Sequence, residues 1–221
     1  MRSKEEAKWN EAKSYMGNKR ITLGPHYSYI LRDLPRRLVF ILSHYKFAAK
    51  IIGEGKTVLE VGCSEGFGTA ILAEATKKVV GIDLDGKAIK EARRSFRSEK
   101  IEFKTIDFLG AKRIGSFDAI VAFDVIEHIY PENEEIFLKN ICKNLNQYGI
   151  CVIGTPNKTA EQYASPTSKI SHINLYTWDR LKEAVEKYFH QVFIFSANDE
   201  IVHTGFYPMA HYLIAVGITK R

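Results

Sequence analysis

Cysteine is scarce in this chain: three residues in 221, Cys63, Cys142 and Cys151, with no CxxC pair among them. Thiols so few and so scattered give neither a disulfide framework nor a structural zinc site, and a reducing compartment is the default. Long apolar runs are missing as well. Nowhere do 18 apolar residues follow one another, so no membrane span is expected. The first fifteen residues alternate charges and lack the apolar stretch of a leader, which points to a cytoplasmic protein. No 20- to 50-residue period repeats, and no stretch is of low complexity. Charge of one sign is not abundant either: 32 Lys+Arg against 26 Asp+Glu leave a net +6. The basic residues form only short clusters, such as Arg36-Arg37, Lys77-Lys78 and Arg93-Arg94. That scatter is the mark of a solvated surface and argues against nucleic acid as the partner. What is present, 45% hydrophobic and 26% charged residues, is the composition of a globular domain. A chain of this length buries roughly 70% of the surface it exposes unfolded, so it needs no metal or disulfide staple.

From Lys56 onward, short apolar and β-branched runs alternate with amphipathic stretches. Strand patterns fall at residues 57–62, 78–84, 101–105, 117–123, 150–154, 192–197 and 210–219, and helical patterns at 66–75, 86–96, 132–145 and 177–189. Runs such as 58–61 and 119–121 are apolar on both faces, as in a parallel sheet covered by helices on both sides. The fold class expected is therefore α/β, doubly wound, with a mostly parallel seven-stranded sheet. Residues 1–55 differ: two amphipathic stretches, 4–15 and 34–50, flank a segment rich in Gly, Pro and aromatics at 17–29. They read as an N-terminal helical cap on the same domain, whose core runs over 56–221. Within that core, about 155–176 is polar and aperiodic, the signature of a lid or binding loop.

The most informative segment runs from Thr57 to Gly68, where a buried strand enters a glycine-punctuated turn that opens a helix. Such a turn lets backbone N–H groups and the positive end of a helix approach a ligand. A dinucleotide fingerprint starting at Gly62 would need glycine at 64 and 67, which hold Ser64 and Phe67. A P-loop built on Gly55-Lys56-Thr57 would need its first glycine at Lys50, and the triplet precedes its strand. What remains is acid-x-Gly-x-x-x-Gly-x-Gly at Glu60, Gly62, Gly66 and Gly68. This pattern resembles that of the class I S-adenosylmethionine-dependent methyltransferases. The resemblance implies a Rossmann-like fold, S-adenosylmethionine as cofactor and S-adenosylhomocysteine as product. It sets the turn residues Glu60, Gly62, Cys63, Ser64 and Gly66 against the methionine part, with Cys63 packing as a small apolar residue and not as a nucleophile. Asp83 closes the second strand 21 residues after Gly62, the distance at which an acid takes the ribose hydroxyls in a βαβ unit, with Leu84 beside it. The resemblance assigns Asp107 and Phe108 to the adenine, and Phe123, in the fourth-strand motif that ends at Glu127-His128, to the vicinity of the sulfonium.

Methyl transfer is an in-line displacement in which the protein orients its reactants, excludes water and supplies at most one base. His128 and His172 are the candidate catalytic bases, since both fall in regions that the resemblance assigns to the substrate side; His26, His203 and His211 are further imidazoles. Asp124-Val-Ile-Glu127-His128 resembles the metal-binding Glu-x-x-Glu-His of small-RNA 2′-O-methyltransferases, which makes a divalent metal an optional further cofactor. Residues 155–157 and 172–181 are similar to the corresponding stretches of ubiquinone-biosynthesis and bacterial small-molecule methyltransferases. The expected function is thus methyl transfer to a small molecule, at oxygen rather than nitrogen, by a monomer or homodimer. An RNA methyltransferase, an N-methyltransferase on a small molecule and a non-catalytic cofactor-binding subunit are the alternatives. Tyr15, Arg20, Tyr27, Tyr29, Arg32, Tyr163, Tyr207 and His203 are candidate wall residues for a polar or anionic acceptor.

Overall fold

The computed structural model describes residues 3–18 and 20–221. Three helices come first: α1 (Lys4–Met16), α2 (Pro25–Asp33) and α3 (Pro35–Ile52). The core then alternates β1 (Thr57–Val61), α4 (Phe67–Ala75), β2 (Lys78–Asp83), α5 (Gly86–Ser95), β3 (Ile101–Thr105) and β4 (Phe117–Phe123). After β4 come α6 (Glu134–Asn144), β5 (Leu145–Pro156), α7 (Pro166–Ser171), α8 (Trp178–Glu186), β6 (Phe189–Asn198), β7 (Ile201–His203) and β8 (Tyr212–Lys220). No helix of the described residues is long and apolar enough to cross a membrane.

The strands form one sheet in the order β3-β2-β1-β4-β5-β8-β6-β7. From β3 to β5 the pairing is parallel, and β8, β6 and β7 are added antiparallel. β1 shows why: four of its five residues are buried, including neighbours that point to opposite faces, so both faces need cover. One side is sealed by Tyr45 and Ala48 of α3 and Leu72 and Ala73 of α4, packed on Val58, Val79, Val121 and Ile214. Phe137 and Ile141 of α6 and Leu181 and Val185 of α8 pack in a second core with Leu59, Ile120 and Ile153. The strand order reverses between β2 and β4 around β1, and a doubly wound sheet opens its ligand crevice at such a switch point, beyond the carboxyl ends of the strands.

Three features depart from the sequence reading. The sheet has eight strands, not seven, because Asp199 in left-handed conformation (φ 53°) turns the chain after β6 into the short edge strand β7. The segment at 17–29, read as a connector, contains the start of α2, which opens on Pro25. No local side chain caps α2; the buried Glu65 carboxylate accepts from the backbone N–H of His26 at 2.8 Å and of Tyr27 at 3.0 Å. The stretch read as a loop at 155–176 holds a 3-10 turn (Lys158–Tyr163) and α7, capped by the Ser165 hydroxyl.

Candidate active site

The carboxyl ends of β1, β2 and β4, the segment after β3 and the helices α2 and α3 enclose one cavity of about 500 Å³. Its floor is the turn after β1. Gly62 and Cys63 donate their N–H groups to Ile82 O at 2.8 and 3.0 Å, which locks the turn onto β2. Gly62 adopts φ 78°, and a Cβ there would run into the Val125 side chain, so only glycine lets the segment after β4 approach. Gly68 serves a different contact: the Tyr45 ring of α3 occupies the place of its missing side chain. Ser64 is held left-handed at φ 48°, a strained state for a residue with a side chain. Its N–H donates to Asp83 Oδ2 at 2.8 Å, while Asp83 Oδ1 accepts from Asp85 N–H at 2.8 Å. These two bonds fix the carboxylate at the cavity wall and leave lone pairs on both oxygens for a diol.

Of the residues assigned to the cofactor from sequence, Gly62, Cys63, Ser64, Asp83, Leu84, Asp107, Phe108 and Phe123 line this cavity. Phe108 and Phe123 are buried in its apolar lining, whereas Leu84 is 73% exposed at the rim. Glu60 and Gly66 lie behind the wall. Glu60 is fully buried and accepts from the Thr69 hydroxyl with one oxygen while the other has no partner. Burial, reinforced by the charge of Asp83, pushes its carboxyl up to about 7. Gly66 (φ 87°) turns the chain into α4 against Phe103 and Ala92. The Cys63 thiol is buried and raised far above its ordinary value, first by burial and then by Glu60 and Asp83, so it stays protonated.

Beyond Phe123 the chain turns sharply at Asp124 (φ 55°), whose N–H donates to Gly154 O at 3.1 Å and to the Tyr212 hydroxyl at 3.2 Å. The 3-10 turn that follows places Glu127 inward and His128 outward. Glu127 Oε2 accepts from the Thr155 hydroxyl at 3.1 Å, Oε1 has no partner, and burial followed by the nearby Asp124 raises the carboxyl well above the usual range. Its backbone oxygen accepts from the N–H groups of Ile173 and Asn174, which ties the insertion to the turn after β4. His128 and His172 both line the cavity, with ring centroids 5.0 Å apart, and Ser171 O lies 2.9 Å from His128 Nδ1. That bond makes Nδ1 the donor and leaves Nε2 free. His172 is lowered by burial first and by His128 next, so it is neutral near pH 7.

Ligand atoms of Glu127, His128 and His172 come within 4.8 Å of one another. One carboxylate and two imidazoles form a donor set that suits a divalent transition metal. A second, more open cavity of about 450 Å³ adjoins on the far side of His172, between Lys158, Glu161 and Arg180. There Arg180 donates to the Glu134 carboxylate, Asn174 Oδ1 and the backbone oxygen of Leu175 and lies 4.1 Å over the buried Tyr176 ring, so it braces the insertion.

Of the candidate wall residues for an acceptor, Tyr27 lines the main cavity; Tyr15, Arg20, Tyr29, Arg32, Tyr163, Tyr207 and His203 do not. His203 pairs with Asn198 in the β6–β7 hairpin, and Tyr207 stacks on Trp178. His26 lines the cavity and His211 does not. Sequence reasoning missed Arg37, Ile41 and Tyr45, which line it from α3. The signal was available: positions 37, 41 and 45 recur every four residues and share one helix face.

A β3-β2-β1-β4-β5 parallel half followed by antiparallel strands, with a glycine turn and acids at successive strand ends, defines the class I S-adenosylmethionine-dependent methyltransferase fold. The chain belongs to the methyltransferase domain family, which matches residues 52–195, more than half of its length. It is 30% identical over 104 residues to a probable S-adenosylmethionine-dependent methyltransferase of Mycolicibacterium smegmatis, covering 47% of this chain and 39% of that one. To the ubiquinone biosynthesis O-methyltransferase of Caulobacter vibrioides it is 31% identical over 121 residues, 53% of this chain and 47% of the relative. The chain thus spans less than half the length of these curated relatives. Among solved structures, the N-methyltransferase NodS from Bradyrhizobium japonicum with S-adenosyl-L-homocysteine superposes with a TM-score of 0.65 at 21% identity, covering 86% of this chain and 91% of that one. At that identity the likeness concerns the fold.

Proposed function

We propose that the cavity binds S-adenosylmethionine and that the protein methylates an oxygen of a small-molecule acceptor. The observation that carries the reading is the convergence of Ser64, Asp83, Asp107 and Phe123, from four separate strand ends, on one cavity that also holds His128 and His172. The donor set fits the group: Asp83 offers lone pairs for a ribose diol, Phe108 and Leu84 offer apolar surface for a ring, and Gly62 leaves the turn open to close approach. When bound, S-adenosylmethionine supplies a methyl group activated on a sulfonium. The chain's own part is to bind, orient and deprotonate. His172, neutral near pH 7 and half-buried, accepts the acceptor's hydroxyl proton; His128 Nε2 stands next to it as an alternative proton acceptor. Residues 1–55, through α2 and α3, act as a cap and 155–176 as a lid that keep water from the cavity, a role supported by His26, Tyr27 and His172 in its wall.

Calorimetric titration with S-adenosylhomocysteine tests the reading. Binding with one site per chain is expected, and Asp83→Ala is expected to weaken it by about 1.5–3 kcal/mol through lost charge-assisted hydrogen bonds. Unchanged affinity in the variant, or no binding by the original protein, removes the assignment. Transfer itself is read as S-adenosylhomocysteine formation across hydroxylated and amine acceptors; turnover of amines alone would move the reaction from oxygen to nitrogen.

A second reading of one corner rests on the unpartnered Glu127 Oε1 beside His128 and His172. These three would hold a divalent cation, which when bound lowers the pKa of an acceptor hydroxyl. Visible absorption bands on adding Co²⁺, lost in Glu127→Gln, support this reading; their absence leaves the imidazoles as bases.

A further inference from the structure

The cavity wall contains one strong cation. Arg37, on the first turns of α3, is the only lysine or arginine among the described residues that line it. Its guanidinium is half-buried and makes no hydrogen bond and no ion pair with the described residues. Two imidazoles feel its charge: His26, whose Nδ1 is 3.4 Å from Ser64 Oγ at the glycine turn, and His172, on the insertion. Arg37 thus shares the cavity wall with His26, beside the turn after β1, and with His172 of the imidazole pair. The acids nearby do not neutralise it. Asp83 accepts from Ser64 and Asp85, Asp107 accepts from Leu109 N–H at 3.0 Å, and Asp124, which faces the same two imidazoles, forms no ion pair with it. No acidic residue stands in the first turn of α3 to serve as a local partner.

A guanidinium left bare in a concave wall is complementary to an oxyanion, because its planar fork matches two oxygens of a carboxylate or phosphate. We propose that Arg37 anchors an anionic group on the methyl acceptor, which makes the substrate class a hydroxylated carboxylic acid or phosphate ester with its hydroxyl at His172. The inference rests on the reading of this cavity as the cofactor and acceptor site. It would orient the acceptor at two points, the anion at α3 and the reacting oxygen at the insertion.

The test uses the full chain, free and saturated with S-adenosylhomocysteine, titrated with benzoate, phenyl phosphate and neutral benzamide. At least one of the two anions is expected to bind and benzamide is not, and the tighter anion tells carboxylate from phosphate. Arg37→Ala is expected to weaken anion binding by about ten-fold or more, with Arg37→Lys falling between, since an ammonium keeps the charge and loses the fork. Affinity for S-adenosylhomocysteine is expected to stay within about two-fold in both variants, because the cofactor's contacts lie at the strand ends. Equal binding of benzamide and the anions, or anion binding indifferent to Arg37→Ala, overturns the proposal. So does a large loss of S-adenosylhomocysteine affinity in Arg37→Ala that spares methylthioadenosine, which lacks the amino-acid end, because the guanidinium would then serve the cofactor's own carboxylate. Should the original protein bind no S-adenosylhomocysteine, the methyltransferase reading fails instead, and the anion titration of the free chain still decides the role of Arg37.

Discussion

Glu60 separates what a motif names from what a side chain does. It heads the glycine motif, yet it is fully buried behind the cavity, with Thr69 on one oxygen and nothing on the other. A carboxyl held at about 7 against an ordinary 4.5 favours its proton in the folded state. Between those values the folded protein binds more protons than the unfolded one, so this group's contribution to stability is complete below about pH 4.5 and is lost as pH rises through about 7. The charged form costs on the order of 3 kcal/mol at most. Glu60→Gln keeps the size and an acceptor for Thr69 but cannot ionise. Urea midpoints should therefore show the variant gaining on the original protein from pH 5 upward and levelling off near pH 8, with no gain at pH 4. A constant difference across that range would contradict the burial assigned to Glu60. Much of the site was readable at this scale, because Gly62, Asp83 and Asp107 are set by spacing along single strands and turns. What spacing could not convey is which way Glu60 points, since that depends on Thr69 and the helix packed above it.

At the scale of elements, α2 depends on a distant side chain. Its N-terminal amides at His26 and Tyr27 bond to Glu65, a residue of the glycine turn, and the Tyr27 ring stacks on Phe67 at 4.3 Å. The chain thus builds α2 and the glycine turn as one unit. Glu65→Ala removes a buried charged acceptor from two donors and should cost about 1–3 kcal/mol, with Glu65→Gln costing less. Hydrogen exchange at His26 and Tyr27 should accelerate in the alanine variant while β1 and β4 remain protected; protection unaltered at both amides would show that α2 is held by packing alone. This dependence explains why a sequence reading of 17–29 sees only a connector. Pro25 marks a helix start, but the capping group lies 38 residues downstream of Tyr27. β7 escaped for a related reason: three residues, none of them buried, carry no alternation, and only pairing with β6 makes them a strand. The parallel strands β1, β2 and β4, by contrast, announce themselves through continuous apolar runs.

For the whole molecule, the N-terminal helices, the strand ends and the insertion meet at the cavity, through Tyr27 and Arg37, Asp83 and Phe123, and His172. The insertion is in turn fastened to the segment after β4 by Ile173 and Asn174 on Glu127 O, and to α6 by Arg180 and Tyr176 on Glu134. A ligand that fills the cavity therefore touches three segments far apart in the chain, and its binding energy should be shared among them. At a hundredfold excess over its dissociation constant, S-adenosylhomocysteine should stabilise the protein by about 2.7 kcal/mol, seen as a rise in Tm of about 5–11 °C. The distribution of that gain distinguishes a cap and lid from mere neighbours of the site. If residues 24–45 and 155–176 close over the ligand, hydrogen exchange should slow in both segments together with the turn after β1, and Asp83→Ala should reduce all three effects together at the same ligand concentration. Slowing confined to the ends of β1 and β2 would mean that the ligand sits on the strand tips alone, and the N-terminal helices and the insertion would then have to be assigned to acceptor binding or to nothing at the site.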